Sequence, residues 1–272
     1  MTDWTTLERA AAALDGRAGV FVTDAGGDVL YERDADGTYP SASVIKIPLL
    51  MTLYADAAVG RLSLDDRLPV GERLPGTGVL RHLADVAELS VRDHAMLMTI
   101  VSDNTSTNRL IERVGLDRVA TRLEEWGCTV TRLQRKMFDV AAAGRGMDNV
   151  ASPRELGSLL LRLVRGELVD RATSDTVLAV LDQTQDHTLI RRYLPAGTRV
   201  AHKTGSLEKV RNDAAVIWKD RAVVAVGLVD GLSDIRPAQS LLGVLGWLAY
   251  REAGGETGLE TKGLPPEWPE GR

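Results

Sequence analysis

The chain has 272 residues, 44% of them hydrophobic, and a net charge of −5 from 33 basic and 38 acidic residues mixed along its length. That length and composition can bury a sizeable core in one large or two interleaved domains, and the mixing of charge excludes the basic stripe of a nucleic-acid binder. A single cysteine, Cys128, excludes a disulfide framework and a cysteine-rich metal site, and His82, His94, His187 and His202 lack metal-ligand spacing, so no metal or other cofactor is expected.

The opening, "MTDWTTLERAAAALDG", has no basic region followed by an apolar core, and reads as an amphipathic helix with Thr5 and Glu8 as its capping box. No stretch approaches about 18 uninterrupted apolar residues. As written, the chain is expected in the cytoplasm with no membrane partner, or outside it if a leader has been removed. Two β-rich runs, 19–23 and 28–33, joined through Ala25, Gly26 and Gly27, predict a hairpin. From residue 41 to about 194 the pattern turns helical, broken by Gly and Pro. Within it, Cys128 reads as a small buried hydrophobe.

Strand signals return at "TRVAHKTGS", "NDAAVIWKD" and "RAVVAVGLVDG", with Lys219 and Asp220 in a tight turn, before a last helix over 237–253. The expected architecture is α/β in composition and α+β in arrangement. Residues 1–40 and 195–253 form an antiparallel sheet domain flanked by helices, and residues 41–194 form a helical domain with a cleft between the two. The tail, 254–272, is rich in Gly, Pro and charge and is expected to be disordered or to run along the surface. Five tryptophans, Trp268 among them, are too dispersed for a binding platform and read as packing residues.

Three short motifs carry chemistry. In "SASVIKIPLL", Ser43 and Lys46 lie one helical turn apart in an apolar run. Burial among Val44, Ile45, Ile47 and Leu49 would push the lysine towards its neutral form, able to take the serine proton, whereas a capping serine with a solvated lysine is the plainer alternative. In "VSDNTSTNRL", Ser102, Asp103 and Asn104 fall between helical segments, where a loop presents a hydroxyl and an amide to a cleft or where Asp103 or Ser102 caps a helix. In "AHKTGSLEKVRNDAAVIW", alternation sets Lys203 and Gly205 on one face of a strand and His202, Thr204 and Ser206 on the other, and Gly205 lets a substrate backbone lie alongside.

Ser-x-x-Lys, Ser-Asp-Asn and Lys-Thr-Gly in this order resemble the penicillin-recognising serine enzymes, most closely the class A β-lactamase family. "GTGVL" at 76–80 and "LPAGTRVAHKTG" extend the resemblance over nearly the whole chain. It implies a β-lactamase/transpeptidase-like fold and a hydrolase working through an acyl-enzyme on a small-molecule β-lactam or other acyl substrate, with a D,D-peptidase, an esterase or a slow-turnover penicillin-binding module as alternatives. A monomer is expected. Ser43 would be the acylated nucleophile, Lys46 its base or proton relay, and Ser102 the donor to the leaving nitrogen. Asn104 would hold the substrate amide and the Lys46 ammonium, with Asp103 a buried structural carboxylate. Lys203, Thr204 and Ser206 would bind a substrate carboxylate, and the backbone N–H groups of Ser43 and Ser206 would form the oxyanion hole. Arg211 would add charge to that carboxylate site, or stand solvated at a strand end.

The resemblance fails at one step. The family places a water-activating glutamate four residues before an asparagine, on a loop ahead of the "SP" that opens a helix. No Glu-x-x-x-Asn occurs in "LQRKMFDVAAAGRGMDNVASPREL". Counting back from Ser152 and Pro153, the glutamate's place falls near Lys136, Met137 or Phe138, inside a loop whose ends Arg135 and Asp148 or Asn149 can pin. Asp139 is the nearby carboxylate, either a catalytic base or a cap on "VAAAG". Glu155 reads as a first-turn residue of the next helix.

Overall fold

The computed structural model describes residues 2–255, so the expected tail beyond residue 255, with Trp268, lies outside the described residues. In chain order the elements are α1 (Thr5–Ala12), β1 (Arg17–Asp24), β2 (Val29–Arg33), β3 (Tyr39–Pro40), α2 (Lys46–Ala58), β4 (Arg67–Pro69), β5 (Glu88–Ser90), α3 (Val91–Ile100) and α4 (Asn104–Val114). They continue with α5 (Leu116–Glu125), α6 (Val140–Gly144), β6 (Val150–Ala151), α7 (Pro153–Arg165), α8 (Arg171–Leu181), β7 (Arg199–Leu207), β8 (Val210–Trp218), β9 (Ala222–Asp230) and α9 (Arg236–Glu252).

Five strands form an antiparallel sheet in the order β2-β1-β9-β8-β7, so the two ends of the chain meet where β1 pairs with β9. Alternate residues of the central strands serve two cores. Ala214, Val216, Val224 and Val226 face the helices of the middle of the chain, whereas Ala215, Ile217, Val223 and Ala225 face α1 and α9. A sheet covered on both faces needs apolar side chains at every position, which is why "AVVAVGLV" runs unbroken instead of alternating. Helix α2 is buried from Lys46 through Asp56 and forms the axis of the helical region.

One expectation needs correction. Thr5 is the first helical residue, not a cap: Trp4 holds the cap position without a side-chain bond, and the Thr5 N–H goes to Asp3 Oδ1 at 2.9 Å. The carboxylate of Asp3 is the better acceptor, and Glu8 is occupied by Tyr31 and Arg33 of β2. The middle of the chain, expected to be mostly helix, also carries two short strand pairs, β4 with β5 and β3 with β6.

Candidate active site

The nucleophile candidate sits in a 3₁₀ turn, Ala42–Ile45, directly ahead of α2. Ala42 takes a positive φ of 46°, a conformation unfavourable for a residue with a Cβ, so the surroundings must hold it there. They do so from β8, where Asn212 donates to Pro40 O at 2.8 Å and to Ser41 O at 3.1 Å while its own Oδ1 accepts from Val229 N. From β7, Gly205 backs the same turn. A Cβ at Gly205 would lie 2.9 Å from the Ser43 nitrogen and 3.1 Å from Ser41 O, so only glycine lets the strand lie this close to the Ser43 turn.

Lys46 is 1% exposed. Its ammonium donates to Ser102 O at 2.9 Å, Ser102 Oγ at 3.0 Å and Asn104 Oδ1 at 3.0 Å. All three acceptors are neutral, and among the described residues no carboxylate pairs with it. Burial, reinforced by the charge of Lys203, therefore holds Lys46 well below the ordinary lysine range, with Asp103 as a weaker opposing influence. A buried amine that sheds its proton readily suits a general base beside a hydroxyl.

Ser102 reaches Lys46 because its backbone is left-handed, φ 55°, in the break between α3 and α4. Asp103 is 1% exposed and works as structure. One of its oxygens caps α4 through Ser106 N at 2.9 Å, and the other accepts from Val79 N and Leu80 N at 2.7 and 2.9 Å. This ties the "GTGVL" loop to the site. Gly78, φ 110°, passes so close that a Cβ would meet the Asp103 carboxylate at 2.3 Å. Asn104 holds Lys46 as expected, while its amide nitrogen turns to Pro75 O and Thr77 Oγ1 at 3.2 and 3.3 Å.

On β7, Lys203 is 1% exposed and donates to Thr204 O at 3.0 Å. Burial pushes it down to about 8, against the pull of Asp213 and Asp186. Ser43, Ser102, Asn104, Lys203, Thr204 and Ser206 all line one cleft of about 900 Å³. Arg211 is not among the lining residues: it donates to Leu207 O and Val210 O of its own turn, both at 2.6 Å.

The opposite wall runs from Arg135 to Asn149. Its ends are pinned by Arg135 on Asp148 at 2.9 Å and by Asn149 Oδ1, which accepts from Gln134 N and Arg135 N. Asn108 of α4 clamps the middle, accepting from Met137 N at 2.8 Å and donating to Met137 O at 3.0 Å. Met137 thus holds the secured position facing the cleft, in the stretch where a water-activating carboxylate is expected. Asp139 also lines the cleft, but its Oδ1 caps α6 through Ala142 N at 2.9 Å. Glu155 sits in the first turn of α7 and gathers Thr129 N, Val130 N and Thr131 N. Asn108, Asn212 and the cleft-lining Asp186 were not legible as site residues, because each acts through a contact distant in sequence. The buried asparagine in the apolar run of β8 was the one available signal.

A serine on a strained turn, a buried lysine behind it, and a Lys-Thr-Gly strand alongside define an active-site-serine acyl-transfer hydrolase. The chain belongs to the β-lactamase enzyme family, which it matches over residues 4–253. It is 30% identical to β-lactamase L2 of Stenotrophomonas maltophilia over 223 residues, 80% of this chain and 72% of that one. The crystal structure of a β-lactamase from Sphaerobacter thermophilus is 31% identical, with a TM-score of 0.84 over 93% of this chain and 98% of that one. A glutamate variant of PBP-A, solved as an acyl-enzyme complex with penicillin G, is 26% identical, with a TM-score of 0.81 over 91% of this chain and 94% of that one. The protein is an enzyme, a serine hydrolase of the β-lactamase type with the fold of that group. Among the described residues no helix is long and apolar enough to cross a membrane.

Proposed function

We propose that Ser43 attacks the carbonyl carbon of a β-lactam or an activated ester or amide, and that water then releases the acyl group. In the first step the Ser43 Oγ–carbon bond forms and the hydroxyl proton passes to neutral Lys46. The backbone N–H groups of Ser43 and Ser206 receive the developing oxyanion. As the carbon–nitrogen bond of a lactam breaks, Ser102 gives its proton to the leaving nitrogen and is reprotonated through Lys46 Nζ, 3.0 Å away. The observation that carries this reading is the burial of Lys46 against three neutral acceptors, since an amine so placed favours the uncharged form a base requires.

The second step needs a base for water. Met137 offers none, so the role falls to Asp139, whose second oxygen is free of the α6 cap. Asn caps as well as Asp, so Asp139→Asn removes the charge and keeps the helix start. Intact-mass time courses with a chromogenic cephalosporin test both steps. Wild type should gain an adduct at Ser43 and release product, and Asp139→Asn should accumulate that adduct. Met137→Glu, on the backbone held by Asn108, should empty it faster, by roughly 10- to 100-fold. No adduct and no product on wild type would refute the acyl-transfer reading, and an adduct lifetime unchanged in Asp139→Asn would remove Asp139 from the mechanism.

The two lysines also set a pH profile. Activity should rise with pH as Lys46 loses its proton. For a substrate bearing a carboxylate it should fall again near pH 8, where Lys203 loses the charge that binds it. An uncharged ester should show the rise without that fall, and profiles of kcat/KM for the two compounds would check it.

A further inference from the structure

The end of the cleft beside β7 holds a resident anion. Asp186 lies between α8 and β7 and lines the cleft with Lys203, Thr204 and Ser206. Its Oδ1 accepts from Thr188 N at 3.0 Å and from Thr188 Oγ1 at 2.6 Å, which fixes the carboxylate in place. Burial raises the Asp186 carboxyl, but the Thr188 bonds, the Thr204 hydroxyl and the Lys203 charge outweigh it and hold the group below the ordinary range, ionised at neutral pH. With Arg211 bound to its own turn, Lys203 is the one cation that β7 and β8 present to the cleft among the described residues. The Asp186 carboxylate opposes the positive charge that Lys203 contributes to the part of the cleft where a substrate carboxylate would bind.

We propose that Asp186 is a specificity-determining residue: by placing a carboxylate in the cleft that Lys203 and Thr204 line, it makes this subsite favour acyl donors that are neutral there, esters and amides, over donors carrying a carboxylate. The physical basis is like-charge repulsion within the cleft, where a second anion weakens the hold of an ammonium on the first. This rests on the reading of the cleft as the site that acylates Ser43.

The test compares a chromogenic cephalosporin bearing its free carboxylate with the methyl ester of the same compound, on wild type, Asp186→Asn and Thr188→Val. Asn keeps the oxygen that accepts from Thr188, so the loop stays formed while the charge goes. Asp186→Asn should raise kcat/KM for the acid by about tenfold or more and leave the ester within about twofold. Thr188→Val retains the Asp186 charge and should leave the acid-to-ester ratio near that of wild type. A parallel change on both compounds, or a loss on the acid, would overturn the proposal and mark Asp186 as a structural prop for Lys203. Intact mass separates the two levels of failure: an adduct with an unmoved ratio sinks the role of Asp186 alone, whereas no adduct from either compound sinks the acyl-transfer reading as well.

Discussion

Ser43→Ala is expected to abolish covalent labelling by a β-lactam and to lower kcat/KM by roughly 10³- to 10⁶-fold, the range seen when the nucleophile of a serine hydrolase is removed. The fold should survive. The turn around Ser43 is held by Asn212 and by the close approach of Gly205, and neither contact uses the serine hydroxyl. Ligand binding should therefore persist without an adduct. The check is intact mass beside a binding measurement on the same sample. A variant that binds and still gains the adduct mass would show that another residue is the nucleophile.

Lys46→Met should move activity and stability in opposite directions. Loss of the base should lower acylation by roughly 10²- to 10⁴-fold. Burial of an amine has a cost whenever the unfolded chain is protonated and the folded one resists protonation. For Lys203, whose value falls from 10.5 to about 8, that cost is about 3 kcal/mol at neutral pH. Lys46 is shifted the same way, and Met fills its volume without the charge. Ser102 and Asn104 would lose a donor, but both line the cleft, where water can replace it. We expect a net gain of ~1–3 kcal/mol, seen as a higher Tm. The sign with pH follows. Because both lysines are depressed, the unfolded state binds more protons, so wild-type stability should rise as pH climbs towards 10.5. Lys46→Met should flatten that rise. A fall in Tm at neutral pH would mean that the hydrogen bonds of Lys46 outweigh its desolvation.

Much of the architecture was legible because it depends on local pattern. The hairpin, the three closing strands and the last helix follow from periodicity and turn residues, and β1, β2, β7, β8, β9 and α9 lie where that pattern put them. The start of α1 was misread because the competing acceptor, Asp3, and the partners that occupy Glu8 are set by contacts outside the capping box.

The site divides in the same way. Ser43, Lys46, Ser102, Asn104 and the Lys203 strand were recognisable by type and order, since Ser-x-x-Lys, Ser-Asp-Asn and Lys-Thr-Gly are short motifs of neighbouring residues. What those side chains do to one another was decided in three dimensions. The left-handed Ser102 turns its hydroxyl to Lys46, and Arg211 is held by the carbonyls of its own turn. Asn108 reaches across to hold Met137, 29 residues away. Asp186 meets the β7 site only because the connection from α8 folds back along that strand. The sequence by itself determined the kind of bond-making groups this enzyme carries. Only the tertiary structure decided their protonation, their partners and the charge that greets a substrate, because burial, hydrogen bonding and Coulomb forces act through space and not along the chain.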